Sequence, residues 1–181
     1  DIHELKVELL GQQMTFLTDA GVFSKKMIDY GSRVLLSALE FNKKETLLDV
    51  GCGYGTLGLT LAKAQELEVT LVDINQRALD LARKNADANQ VSADIFQSNV
   101  YEYVIGQFHH IISNPPIRAG KQVVHEVISG SYDHLLEDGN LTIVIQKKQG
   151  APSAKTKMEE VFGNCETLKK DKGYYILRSV K

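Results

Sequence analysis

Three short stretches of this chain place polar groups where the backbone turns sharply, and each implies its own chemistry. The first is Asn114-Pro115-Pro116-Ile117, which follows the apolar run His109-His110-Ile111-Ile112-Ser113. Neither proline supplies a backbone N–H and each fixes φ, so a central strand must end here in a stiff corner. The residue before a proline is also kept out of the α region, which holds Asn114 extended at the mouth of that corner. An amide on a rigid corner at the carboxyl end of a strand is where α/β proteins do chemistry, although Asn-Pro also begins ordinary turns.

The second stretch is Leu47-Leu48-Asp49-Val50-Gly51-Cys52-Gly53-Tyr54-Gly55, a buried strand running into a glycine-rich turn before a helix. Glycines let the backbone approach a ligand closely, and the helix that follows offers unpaired N–H groups. The third, Val69-Thr70-Leu71-Val72-Asp73, ends in a carboxylate suited to a ribose diol, with Ile74 beside it. Gly53 to Gly58 formally fits the dinucleotide pattern G-x-G-x-x-G. Its register is wrong, however: the first glycine after the strand is Gly51, and the pattern counted from there meets Thr56 where the third glycine belongs. Asp49 adds a charge that a pyrophosphate would not favour and an ammonium would. A cationic end at Asp49 and a ribose at Asp73 describe S-adenosylmethionine, bound by Asp49, Gly51, Cys52, Gly53, Asp73 and Ile74. The structural alternative is that Asp49 only holds the loop's own N–H groups. Ser98-Asn99 follows the next strand and is placed to meet the adenine edge; Asn-containing turns are common there in any case.

With a methyl donor in place, the Asn114 corner acquires a task. A nucleobase amine is a poor nucleophile, because its lone pair is delocalised into the ring. If the Asn114 side-chain oxygen and the Pro115 carbonyl accept its two N–H bonds, the lone pair is directed at the methyl group, and catalysis rests on positioning and electrostatics. Other chemistries are poorly served. His109 and His110 are adjacent on a strand and point to opposite faces; with His3, His125, His134 and two cysteines no zinc spacing emerges, so no metal is expected. Gly120-Lys121 lacks the rest of a P-loop, and there is no G-x-S-x-G elbow. Cys52 reads as small-residue packing, and Tyr174 and Tyr175 as packing on an edge strand, with base stacking the lesser reading.

These corners need a layered scaffold, and the patterning supplies one. Leu5–Leu9 and Met14–Leu17 alternate around Gly11 and predict an N-terminal hairpin. Ser32 is expected to cap a helix through Phe41. Strands then read as Thr46–Val50, Val69–Asp73, Ala93–Gln97, His109–Ser113 and Asn140–Gln146, with helices at Thr56–Gln65, Gln76–Asn89 (capped by Asn75) and Gln122–Glu137. A helix at Ser153–Phe162 and two strands, Cys165–Lys170 and Tyr174–Val180, close the chain; the short Asp171-Lys172-Gly173 link forces an antiparallel pair. The expected fold is α/β: a doubly wound, mostly parallel seven-stranded sheet with an antiparallel edge hairpin and a small N-terminal hairpin extension. One domain over 1–181 is expected, with 1–30 as hairpin and active-site cover and 31–181 as catalytic core.

Bulk properties agree. The 181 residues suit one domain, and 43% apolar and 24% charged residues are ordinary for a globular protein. No apolar run approaches the ~20 residues of a bilayer span. Asp1-Ile2-His3-Glu4 lacks a signal-peptide pattern, and two cysteines make no disulfide framework, so a cytoplasmic setting is expected. Net charge is −2, but residues from 118 onward carry 11 Lys/Arg against 8 Asp/Glu. Arg118, Lys121, Lys147 and Lys148 would lie near the corner if their strands are neighbours, and could attract a phosphate backbone; a solvated rim is the commoner meaning of such lysines.

The chain resembles the class I methyltransferases, and within them the small-domain family that includes the ribosomal small-subunit guanine-N2 methyltransferase C enzymes. Gly21-Val22-Phe23-Ser24, Leu48 to Gly55, Gln97-Ser98-Asn99-Val100 and Ile112 to Ile117 carry the resemblance in order and spacing. It implies S-adenosylmethionine at Gly51 to Gly53, ribose at Asp73, adenine near Ser98-Asn99 and the target amine at Asn114. It also implies that Gly21–Ser24 closes over the site with Phe23 as a base contact, beside Pro116, Ile117, Arg118 and Lys121. RNA, ribosomal RNA or a ribosomal subunit, is the implied partner, with guanine N2 the implied target and a monomer slightly favoured. Two departures stand out. This sequence contains no counterpart of the extra N-terminal domain of the two-domain enzymes, and Ile117 takes the place of the aromatic that usually stacks on the base. Methylation of a protein glutamine, or a cofactor-fold module without catalysis, are the alternatives.

Overall fold

The computed structural model describes residues 1–19, 28–116, 118 and 120–181. Strands β1 (Ile2–Leu9) and β2 (Gln12–Asp19) form a separate two-stranded antiparallel sheet. Its turn sits on Leu10 and Gly11, both at positive φ, as the primed turns of two-residue hairpins require.

The main sheet has seven strands in the order β5-β4-β3-β6-β7-β9-β8. These are β3 (Thr46–Val50), β4 (Glu68–Asp73), β5 (Ala93–Gln97), β6 (Phe108–Ser113), β7 (Leu135–Gln146), β8 (Glu166–Asp171) and β9 (Tyr174–Val180). β3 to β7 run parallel, and β9 pairs antiparallel with both β7 and β8. The strand order reverses between β3 and β4 on one side and β6 on the other. That crevice, at the carboxyl edge, is where open α/β sheets bind ligands.

Two cores follow from the pleat. On one face Leu47 and Ile112 pack with α1 (Tyr30–Ser37), α2 (Thr56–Gln65), α3 (Gln76–Ala88) and the hairpin's Met14 and Phe16. On the other, Leu48 and Ile111 pack with α4 (Gly120–Ser131) and α5 (Ala151–Phe162). Alternate residues of one strand thus serve opposite layers.

Five expected boundaries are corrected. The first helix begins at Tyr30 with Asp29 as its cap, not Ser32, and ends at Ser37, not Phe41. The helix expected to reach Glu137 stops at Ser131, whose hydroxyl donates to the Ile128 carbonyl at 2.6 Å. β7 then starts at Leu135 rather than Asn140, because Leu135 is fully buried opposite Phe108. α5 starts at Ala151, with Pro152 in its first turn, where a missing N–H costs nothing.

The hairpin is fastened to α3 by side chains that imitate a strand. Asn85 accepts from Leu17 N at 2.6 Å and donates to Leu17 O at 3.1 Å; one turn later Asn89 does the same for Thr15. Asn85 also donates to the Tyr54 carbonyl at 2.8 Å, and Arg77 pairs with Asp19 at 2.7 Å. The outer edge of β2 is therefore paired rather than left open, and the hairpin is coupled to the glycine loop.

Candidate active site

The glycine loop is held by contacts of its own before any ligand is considered. Gly51, Gly53 and Gly55 have φ of 75°, 57° and 102°, a left-handed path that residues with a Cβ avoid. Gly51 N and Cys52 N both donate to the Val72 carbonyl at 2.9 Å, Gly55 N donates to Cys52 O at 3.0 Å, and Gly53 N donates to Asp73 Oδ2 at 2.8 Å. Four loop N–H groups that a pyrophosphate would need are thus engaged. The start of α2 is engaged too: Asp49 Oδ2 accepts from Gly58 N at 3.2 Å, where a phosphate would otherwise sit. This arrangement disfavours the nicotinamide dinucleotide.

Asp49 is fully buried, and its second oxygen, Oδ1, has no hydrogen-bond partner. Burial pushes its carboxyl up to about 7, against the pull of the Gly58 N–H and with the charge of Asp73 adding to the rise. A buried, half-satisfied carboxyl is what a cationic group would complete. A Cβ added at Gly53 would meet nothing within 4 Å, so the loop borders open space. The residues present therefore fit a donor with an ammonium end. The Cys52 thiol is buried, donates to Gly53 O, and is pushed well up by burial and by both nearby carboxylates; it has no character of a nucleophile.

Asp73, at the end of β4, accepts from Gly53 N through one oxygen and from Asn75 N through the other, at 2.8 and 2.9 Å. Each oxygen keeps lone-pair capacity for a hydroxyl. Ile74 beside it is 62% exposed, a flat apolar surface next to that carboxylate. Ser98 is buried; its hydroxyl donates to Val100 O at 2.8 Å and accepts from Tyr103 N at 3.0 Å, so it shapes its own turn. Asn99 is exposed. Nothing in the residue pattern hinted that Ser98 is used internally.

The Asn114 corner adjoins this loop. Ser113 Oγ donates to Val50 O at 2.7 Å, tying the end of β6 to the end of β3. A Cβ built on Gly51 would stand 3.9 Å from Pro116 Cδ. Asn114 Nδ2 donates to Asp29 Oδ2 at 2.7 Å and to Ser32 Oγ at 3.0 Å. Both amide hydrogens are accounted for, which leaves Oδ1 as the free end of the side chain. Pro115 is buried, while Pro116, Arg118 and Lys121 are exposed. β6 and β7 are neighbours with Ser113 opposite Ile143, so Lys147 and Lys148 lie just past the same edge. Phe23 and Ile117, and the expected cover at Gly21–Ser24, lie outside the described residues.

Asp29 and Ser32, which hold the Asn114 amide, are not among the site residues expected from the sequence. Asp29-Tyr30-Gly31-Ser32 contains two good capping residues three apart, and the expected cap is only the second of them. The signal was the pair: an acceptor at the cap and a hydroxyl one turn in.

The model of the methyltransferase small domain matches residues 13–178. The chain belongs to the methyltransferase small domain family. Its enzymes take their methyl group from S-adenosylmethionine. The chain is 46% identical over 178 residues to the uncharacterized protein YbxB of Bacillus subtilis, covering 96% of this chain and 89% of YbxB. It is 37% identical over 174 residues to the ribosomal RNA small subunit methyltransferase C of Erwinia tasmaniensis, covering 93% of this chain and 50% of that protein. Among solved structures, the Thermus thermophilus 16S rRNA N2 G1207 methyltransferase, in complex with AdoMet and guanosine, superposes with a TM-score of 0.92 at 29% identity. That match covers 99% of this chain and 50% of the other. The chain spans about half the length of these ribosomal RNA methyltransferases. Among the described residues no group of three or more His, Cys, Asp or Glu could hold a metal ion, and no helix is long and apolar enough to cross a membrane.

Proposed function

We propose that the chain transfers a methyl group from S-adenosylmethionine to an exocyclic amine of an RNA base, guanine N2 of ribosomal RNA being the target that its relatives favour. The observation that carries this reading is the direction of the Asn114 amide. With both Nδ2 hydrogens held by Asp29 and Ser32, the group offered to a ligand is an acceptor.

When bound, the donor supplies an electrophilic methyl carbon on a sulfonium. Asp49 and the loop from Gly51 to Gly53 would hold its amino-acid end, Asp73 its ribose, and Ile74 with the Ser98-Asn99 turn its adenine. Asn114 Oδ1 and the Pro115 carbonyl would accept the two N–H bonds of the target amine and aim its lone pair across the short gap between Pro116 and Gly51. No strong base is required, because the alkylated ammonium is acidic and loses its proton readily. Arg118 and Lys121, exposed at the rim, would meet the phosphate backbone. Ribosomal RNA as substrate would place the enzyme in the cytoplasm.

The test is transfer of labelled methyl groups to ribosomal RNA, ribosomal subunits, tRNA and a protein lysate in parallel. Label that survives protease and is lost to nuclease supports the reading. Label retained only in protein moves the target to a side-chain amide.

A further inference from the structure

We propose that Asp29 sets the direction of the Asn114 amide, and thereby selects ligands that present two N–H donors over ligands that present an acceptor edge. The inference rests on the methyl-transfer reading above and names the residue that gives the corner its specificity. An amide has two ends of opposite character, and a turn of the side chain exchanges them. Something must decide which end faces the site. Ser32 cannot decide it alone, since a hydroxyl accepts or donates with equal ease.

An ionised carboxylate can only accept. Asp29 Oδ2 lies 2.7 Å from Asn114 Nδ2, so the flipped amide would bring two oxygens together in place of a charge-assisted hydrogen bond. Asp29 is itself immobilised. The same oxygen accepts from Ser32 N at 3.1 Å as the cap of α1, and Ser32 Oγ lies 3.5 Å from it. Gly31 leaves it room, since a Cβ there would stand 3.2 Å from Asp29 Oδ2 and 2.9 Å from Tyr174 Cε1. The carboxylate is thus fixed at the start of α1, and its orientation passes to Asn114, 85 residues away in sequence.

A corner that presents only acceptors matches a primary amine or amide. It leaves a base's carbonyl oxygen or ring-nitrogen lone pair facing an oxygen, an unpaired acceptor of the kind that sites reject strongly. Asp29 is therefore a positioning residue, acting on the ligand through Asn114.

Asp29→Ser keeps an oxygen to cap α1 but is too short to reach Asn114; Asp29→Asn keeps an oxygen in the place of Oδ2. Two measurements separate this proposal from the methyl-transfer reading. The first needs no turnover: NMR hydrogen exchange of the Asn114 side-chain amide, assigned by its disappearance in Asn114→Ala. Both protons are expected to be protected in the wild type and in Asp29→Asn, and unprotected in Asp29→Ser. The second is a double-mutant cycle on methyl transfer. Asp29→Ser is expected to lower kcat about tenfold to a hundredfold, the loss of one charge-assisted hydrogen bond, with KM for the donor unchanged and with no further loss in an Asn114→Ala background. Ser32→Ala should cost less than threefold. Equal exchange of the Asn114 amide in the wild type and Asp29→Ser, an additive loss in the Asn114→Ala background, or a Ser32→Ala defect as large as that of Asp29→Ser would each overturn it. Protected amide protons in a protein that methylates no RNA would sink the RNA reading and leave the role of Asp29 standing.

Discussion

Replacing Asp49 with asparagine should separate two effects that the wild type combines, a cost to folding and a gain in ligand binding. Asp49 is fully buried, and its carboxyl stands at about 7 rather than the usual 3.8. Three pKa units correspond to about 4 kcal/mol at most, taking 1.36 kcal/mol per unit. The sign follows from linkage. Between about pH 4 and 7 the unfolded chain has released this proton while the folded chain retains it, so stability falls as pH rises through that window and is level above it. The amide oxygen of the substituted side chain can still accept from Gly58 N, and the amide does not ionise. The stability of Asp49→Asn relative to wild type should therefore be small near pH 4 and grow toward about 4 kcal/mol by pH 8, as an upper bound.

Ligand affinity should move the opposite way. If the ammonium of the donor completes Oδ1, binding favours the carboxylate, and below pH 7 it must first displace a proton. Affinity then weakens about tenfold for each pH unit below 7. Calorimetric titration with S-adenosylhomocysteine at pH 5.5 to 8, in buffers of different ionisation enthalpy, should register release of about one proton per site at pH 6 and none at pH 8. The charge facing Asp49 is that of Asp73, and the Cys52 thiol beside it stays neutral in this range. His110, on β6, is bonded to Glu45 ahead of the start of β3, and His125 on α4 lies against Ser153, so neither reports in its place. Asp49→Asn should bind more weakly at pH 8 and lose the pH dependence. A wild-type affinity that is flat from pH 5.5 to 8, with no proton exchanged, would refute the assignment of Oδ1 to a cation.

Three further outcomes follow from contacts in the site. Asn114→Ala should leave S-adenosylhomocysteine affinity within about twofold and lower single-turnover methyl transfer by about 10²- to 10³-fold, the scale of losing one preorganised acceptor. Asp73→Ala strands Gly53 N and Asn75 N together with the ribose; the melting-temperature shift induced by S-adenosylhomocysteine should shrink, corresponding to a loss in affinity of about tenfold or more. Asn85→Ala removes the partners of Leu17 N, Leu17 O and Tyr54 O, and urea denaturation should show a loss of about 2–4 kcal/mol.

Much of this was visible in the residue order, for identifiable reasons. Asp49, Asp73 and Asn114 stand inside or at the end of apolar runs, and a polar residue there is legible because nothing in packing asks for it. Gly51 and Pro115 stop their strands by covalent geometry that no tertiary contact can override. What stayed hidden depends on partners far away in sequence. Asp29 and Ser32 are equally good caps by residue type, and only the folded chain shows that Asp29 caps α1 while both hold Asn114. Asn85 and Asn89 look like polar-face residues of α3 until β2 is laid beside them. The end of α4 was hidden because Leu135 and Leu136 continue an apolar pattern that helix and strand share, and only the pairing of Leu135 with Phe108 decides between them.

Three polar groups of the crevice are half-satisfied. Asp49 has one oxygen on Gly58 and one with no partner; Asn114 has its nitrogen held and its oxygen left over; each oxygen of Asp73 accepts one N–H and retains capacity for another. By contrast, the Ser98 hydroxyl both donates and accepts within its own turn, and His110 is engaged at both ring nitrogens, by Glu45 and Asn140. The satisfied half of each crevice group fixes its direction, and the other half is what a ligand meets. A group held this way loses little freedom on binding, so the ordering cost is borne during folding rather than at each turnover. That division explains why the glycine loop uses its own N–H groups on Val72 and Asp73 instead of keeping them for a ligand. Under the proposed function the loop would serve as a floor, and recognition would fall to the three side chains Asp49, Asp73 and Asn114.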